Sequence, residues 1–208
     1  MVFLLGLTGN IACGKSTVGQ LLADRFGADY VDADRLVHAL YASGTTETRA
    51  IADRFGQDLL QDDGTIDRRR LGDIVLADRA ALRDLEGLLA PGIRQAIDAR
   101  LAAAAAPVVV LDAIRLIEGG LAERCDTVWV VVCAQATQMA RLQSARSMSA
   151  EQATLRIAAQ SPAEAKVRRA NVVITNDGTP ADLTEQVDAA WQQTVQPHLN
   201  AASHESKA

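Results

Sequence analysis

Several things the chain does not have narrow its function before any motif is read. Its 208 residues carry 26 acidic against 21 basic side chains, a formal charge of −5. That leaves no basic field for binding nucleic acid nonspecifically, so any groups that handle phosphate must be local. No apolar stretch approaches the roughly 20 residues of a membrane helix, and the first residues enter an apolar run without a charged leader. A cytoplasmic protein with neither membrane nor nucleic acid as partner is therefore expected. Cys13, Cys125 and Cys133 form no C-x-x-C pair and are odd in number, which argues against a disulfide framework. His38, His198 and His204 are too scattered to support a zinc site. There is no internal repeat, and no N-K-x-D segment of the kind a guanine-reading switch needs.

What is present reads as an α/β chain. With 49% hydrophobic residues it can bury a real core, and its length suits one domain carrying insertions. Five short, near-continuously apolar runs alternate with longer helical patterns: Val2 to Thr8, Asp29 to Asp32, Val108 to Asp112, Thr127 to Cys133 and Asn171 to Thr175. Such runs suit a five-stranded parallel sheet flanked by helices. Arg35 to Ala106 reads as helices with breaks at Gly44, Gly56, Gly64 and Pro91-Gly92, too long for one crossover and suited to a helical insertion above the strand ends. Gln135 to Arg169 holds two helical patterns, Ala136–Ala145 and Ala150–Ala159, and reads as a lid. A last helix is expected over Pro180 to Val195, followed by a disordered tail over Ala201 to Ala208.

The segment Gly9-Asn10-Ile11-Ala12-Cys13-Gly14-Lys15-Ser16 fits G-x-x-x-x-G-K-[ST] and lies between the first apolar run and a helical pattern ending before Gly27. Strand, loop and helix in that order make a phosphate cradle, with backbone N–H groups turned inward and a helix N-terminus facing the anion. A nucleoside triphosphate is the expected ligand. Lys15 would reach the β- and γ-phosphates, and the Ser16 hydroxyl would hold a magnesium ion bridging them. The same setting predicts thiolate character, and the highest reactivity of the three thiols, for Cys13.

Other groups with matching chemistry lie further along. Asp32-Ala33-Asp34 closes the second strand, and Asp34 can be read either as the group that orients the attacking hydroxyl or as a helix cap. Asp112, ending an apolar run, suits a second magnesium-organising position, with Glu118 as its competitor. Arg141 and Arg146 place guanidinium groups in the lid, and Asp67-Arg68-Arg69-Arg70 forms a basic cluster in the insertion that suits an anionic acceptor. Met139, Trp129 and Trp191 read as packing, and His38 as structural or exposed.

Taken together, the motifs carry a resemblance over nearly the whole chain. Gly6-Leu7-Thr8-Gly9 leading into Gly14-Lys15-Ser16-Thr17, then Asp32-Ala33-Asp34, Phe55-Gly56, Asp63-Gly64 with Asp67-Arg68, Gln138 with Arg141, Arg156-Ile157-Ala158-Ala159-Gln160, and Asn176 with Gly178 follow the order of the dephospho-CoA kinase family, which the chain resembles. The resemblance implies a nucleoside-monophosphate-kinase-like fold: a core over 1–34, 107–134 and 170–200, an acceptor-binding insertion over 35–106 and a lid over 135–169. It also implies transfer of the ATP γ-phosphate, with magnesium, to the ribose 3′-hydroxyl of dephospho-CoA by a monomer or weak homo-oligomer. Asp34 is then the base, with Lys15 and Arg141 beside it in catalysis. Gly9 through Thr17, Arg146 and Asn176 hold the nucleotide, Thr8, Asp34 and Arg68 the acceptor, and Ser16 and Asp112 the metal.

The chain departs from the family pattern at several points. Ala12 replaces a glycine, which matters little only where the backbone avoids positive φ. Ala90-Pro91 stands for His-Pro, Ile114-Arg115-Leu116 for Pro-Leu-Leu, and Ala170-Asn171 for Ala-Asp. The second lid arginine is displaced from position 145 to Arg146. None of these changes removes the phosphate-transfer machinery, but they leave room for another small-molecule or nucleotide acceptor; a nucleotide-binding switch without transfer activity is a separate alternative.

Overall fold

A computed structural model describes residues 2–205. In it β1 (Phe3–Gly9) is buried along all seven residues because strands flank it on both sides and helices cover its faces. The chain continues through α1 (Lys15–Phe26), β2 (Asp29–Asp32), α2 (Ala33–Leu40), α3 (Thr46–Phe55), α4 (Arg68–Ala77) and α5 (Arg79–Ala103). It then forms β3 (Val108–Asp112), β4 (Thr127–Val132), α6 (Gln135–Arg146), α7 (Ala150–Ala158), α8 (Ala163–Val167), β5 (Val172–Thr175), α9 (Pro180–Thr194) and α10 (Gln196–Glu205). The sheet order is β2-β3-β1-β4-β5, and β1 pairs in parallel with both β3 and β4, as β4 does with β5. From β1 the chain turns towards one edge, and from β3 it passes β1 to build the other. The loop leaving β1 therefore lies at the topological switch point, where an open α/β sheet takes its ligand.

Two compact units result: one holds the residues up to Val31 and those from Ala104 onward, the other Asp32–Ala103. The first contains the sheet. Its apolar cluster joins Leu5, Leu7, Val18, Leu22, Trp129, Ile174, Val187 and Trp191, with the Trp191 ring stacked on Phe26 at 4.2 Å. The second unit is helical and has its own core, built from Ile51, Leu59, Ile66, Leu71, Val75, Leu85 and Leu89.

Three local expectations are corrected. Pro91 does not interrupt α5, which runs through it for 25 residues. An interior proline costs about 3 kcal/mol, and the burial of Ala81, Leu85 and Leu89 along one helix face, with Ile97 buried further on, offsets it. Helix α10 carries regular structure to Glu205, into the expected tail, while residues 206–208 lie outside the described residues. The lid segment holds a third short helix, α8, beyond the two expected, and α8 packs on β1 and β4.

Candidate active site

Helix α1 begins at Lys15 behind Gly14, which has φ 97° and offers no side-chain cap. The start of α1, with the positive end of the helix dipole, is the setting that takes an anion, although the Thr17 N–H is already given to the Gly14 carbonyl at 3.1 Å. Glycine is required at both ends of the loop. Gly14 takes a left-handed backbone and lies against the Asn176 amide, and a Cβ on Gly9 would overlap the Val131 carbonyl. Lys15 is half-buried at the first helical position, followed by Ser16 and Thr17, both exposed.

A loop that turns its N–H groups inward must turn its carbonyls outward, and three successive carbonyls are held by side chains from far along the chain. Gln138 donates Nε2–H to the Ile11 carbonyl at 2.9 Å, Arg141 donates Nη1–H to that of Ala12 at 3.2 Å, and Asn176 donates Nδ2–H to that of Cys13 at 2.9 Å. Arg141 also donates Nη2–H to the Asn176 carbonyl at 2.9 Å, joining two of the three donors. The Ile11 N–H donates to Gln160 Oε1 at 2.7 Å, and Asn10 donates from its side chain to the Ser161 carbonyl at 3.0 Å. Gln138 and Asn176 are buried, so these bonds are shielded from competing water.

The clamp explains Ala12, whose φ is 58°. The replacement of glycine here is therefore not neutral, since the left-handed region costs an L-residue about 1–2 kcal/mol. Cys13 also departs from expectation. It is 1% exposed, and burial pushes its thiol above the usual range, with the Lys15 charge offsetting only part of this. Burial also raises Cys133 to about 11 and Cys125 to about 12. The helix N-terminus does not make Cys13 a reactive thiolate, because the side chain faces the core and not the cradle.

At the end of β3, Asp112 is buried and accepts a 2.6 Å hydrogen bond from the Tyr30 hydroxyl. Its competitor Glu118 is engaged elsewhere: Lys166 Nζ donates to its two oxygens at 2.8 and 3.0 Å and to the Ile114 carbonyl at 2.6 Å. Burial alone would raise the Glu118 carboxyl, but the Lys166 and Ser161 hydrogen bonds hold it below the usual carboxylate range. Of the two carboxylates, Asp112 is the one that is not tied up in an ion pair with Lys166. With the Ser16 hydroxyl it gives oxygen donors only, and Mg²⁺ takes one or two protein oxygens with phosphates and water, so the donor set fits. No group of three or more candidate metal ligands occurs among the described residues. Thr8 is corrected: it is fully buried and donates its hydroxyl to the Ile114 carbonyl at 3.1 Å, so it holds the loop after β3 in place of touching an acceptor.

In the helical unit the cap falls two residues earlier than Asp34. Asp32 is the N-cap of α2, accepting the N–H groups of Asp34 and Arg35, because the strand ends there and Ala33 is already helical. Asp34 is exposed in the first turn. It lines a cleft of about 450 Å³ with Val37, His38, Tyr41, Arg68 and Arg69. Asp67 caps α4 and so places Arg68 and Arg69 on its first turn. Burial pushes the Tyr41 phenol above its usual range, and the nearby Arg68 charge offsets part of that rise. Arg146 is the last residue of α6 and exposed, five positions and about 140° around the helix from Arg141.

Residues 3–182 match the family model described as CoaE, dephospho-CoA kinase. The chain belongs to the dephospho-CoA kinase family. A dephospho-CoA kinase of Geobacter sulfurreducens is 42% identical over 191 residues, covering 90% of this chain and 96% of that protein. Among solved structures, TT1252 from Thermus thermophilus superposes with a TM-score of 0.79 at 29% identity, covering 92% of this chain and 97% of that one. A dephospho-CoA kinase from Campylobacter jejuni gives 0.66 at 25% identity, covering 95% and 100%.

Within that family framework, two participants escape the motifs. Lys166 is 2% exposed although its sequence neighbours give no apolar pattern to announce it. Asp177 accepts the Ala134 N–H at 3.0 Å and the Thr137 hydroxyl at 2.6 Å, capping α6 from 43 residues away where Ala134 itself has no capping side chain. The N-D-G run around Asp177 hints at a turn, but not at which helix it caps.

Proposed function

We propose that this chain transfers the γ-phosphate of ATP to the ribose 3′-hydroxyl of dephospho-CoA, giving CoA and ADP. The observation that carries the reading is the phosphate loop held open by Gln138, Arg141 and Asn176, within a chain of the dephospho-CoA kinase family. The cradle N–H groups and Lys15 bind the triphosphate, and Arg141 keeps N–H donors beyond the two bonds it makes, which can meet charge developing on the transferred phosphoryl group. Ser16 and Asp112 would hold Mg²⁺, which when bound screens the phosphate charge. Asp34 orients the attacking hydroxyl and accepts its proton, while Arg68 holds the anionic part of the acceptor. Asn176 and Arg146 complete the nucleotide side. No helix among the described residues is long and apolar enough to cross a membrane, and a cytoplasmic monomer or weak homo-oligomer suits a small-molecule substrate.

Incubating the protein with Mg-ATP and dephospho-CoA, following ADP release and locating the new phosphomonoester by phosphorus NMR, tests this. The 3′-phosphate of CoA should form in step with ADP. ADP release with another hydroxyl acceptor, and none with dephospho-CoA, would leave the kinase chemistry and remove the acceptor.

A further inference from the structure

Gly19 sits in the middle of α1, where alanine is the better helix former. A Cβ there would overlap the Tyr30 ring at Cε2, Cδ2 and Cζ, so the glycine makes the seat for that ring. The seated Tyr30 reaches Asp112, its hydroxyl 2.6 Å from Oδ2. That length lies in the range of a charge-assisted O–H···O⁻ bond. Asp112 is buried at the end of β3, its backbone in register with Leu7, two residues before the phosphate loop begins. A mid-helix glycine, a strand tyrosine and a buried carboxylate thus form one connected device.

We infer that Tyr30 is a positioning residue for the metal at the phosphate loop, acting through Asp112, with Gly19 as the seat that makes this possible. The inference rests on the reading of Asp112 as a metal-organising carboxylate. A carboxylate fixed by a phenol on one oxygen cannot swing freely, so it meets an incoming Mg²⁺ in one orientation. Partners of this kind, one step removed from the metal, are typically worth about 10–100-fold in metal affinity or activity. Tyr30 touches neither nucleotide nor acceptor in this account, so its effect should be confined to the metal.

The test is calorimetric titration of ADP at a series of Mg²⁺ concentrations for the wild type, Tyr30→Phe, Gly19→Ala and Asp112→Asn. Tyr30→Phe keeps the ring and removes only the hydroxyl. It should raise the Mg²⁺ concentration that half-maximally tightens ADP binding by about 10-fold while leaving metal-free ADP affinity unchanged. Gly19→Ala displaces the ring and should shift the Mg²⁺ dependence in the same direction. Asp112→Asn should shift it at least as far. If Asp112→Asn moves the Mg²⁺ dependence and Tyr30→Phe does not, Tyr30 merely fills space and the inference is overturned. If Asp112→Asn leaves the dependence unmoved, the reading of Asp112 fails, and the inference with it.

Discussion

Around the phosphate loop, the carbonyls of Ile11, Ala12 and Cys13 are each taken by a side chain lying 127, 129 or 163 residues away. In the helical unit Asp32 caps α2 and Asp67 caps α4, and Asp34, His38, Arg68 and Arg69 line the cleft as exposed side chains. One region is tied to distant parts of the chain before any ligand arrives; the other presents its chemistry on exposed side chains. The triphosphate presents the same three charged groups at every turnover, so a rigid cradle lowers the cost of binding it. The acceptor must be recognised along its length, and exposed side chains on a separately cored helical unit suit that task.

The sharpest way to break this contrast is to remove its central donor. Arg141→Ala frees the Ala12 and Asn176 carbonyls and takes a guanidinium from the loop, and loss of one preorganised donor typically costs about 10²–10³-fold in turnover. Arg146→Ala, at the exposed end of α6, should cost less than a tenth of that. Steady-state rates of the two variants at saturating ATP check this, and equal losses would mean that the last turn of α6 unwinds to bring Arg146 inward.

The next effect is on stability. Glu118→Ala leaves the Lys166 ammonium buried without its carboxylate. Breaking an enclosed ion pair costs about 3–5 kcal/mol; with the Glu118 side chain 22% exposed, about 2–3 kcal/mol is expected here after discounting for solvent. Because the folded Glu118 titrates below the ordinary carboxylate range, its contribution is complete above the unfolded value and fades as pH falls through the folded one. Urea unfolding at pH 7 and at progressively lower pH should show the gap between wild type and variant narrowing in acid. A gap that widened would reverse the sign of this account.

The smallest effect belongs to Ala12→Gly, which relieves the left-handed strain but adds the chain entropy of glycine. A net gain of about 0.5–1 kcal/mol follows, visible as a higher melting temperature. A lower one would show that the Ala12 methyl packs productively.

These residues also show where sequence stops informing structure. The cradle was legible in Gly9, Gly14, Lys15 and Ser16 because phosphate loops obey a short spacing rule set by backbone geometry. The end of β3 was legible because a fully buried parallel strand is a bare apolar run. The carbonyl clamp was not, since Gln138 and Asn176 become donors to the loop only once the sheet order brings β4 beside β1 and β5 beside β4. The buried state of Cys13 is not legible locally, because a helix N-terminus implies a field, whereas the thiol's fate depends on which way the side chain faces. Asp34 was open to reading as a cap because nothing local says whether a strand hands over to a helix at residue 32 or 34. Pro91 looked like a stop because its cost is local and the burial that offsets it is tertiary.

The central claim is that a rigid cradle holds ATP while Asp34 in the helical unit serves the acceptor. Turnover of Asp34→Asn with dephospho-CoA, measured beside its dissociation constant for Mg-ATP, tests this most directly. The substitution keeps the side chain's shape, and the cap is held by Asp32, so the fold should stand. The account predicts a rate lower by about 10²–10⁴-fold, the usual value of a general base, with ATP affinity unchanged. A near-normal rate, or a loss of ATP binding equal to the loss of rate, would contradict it.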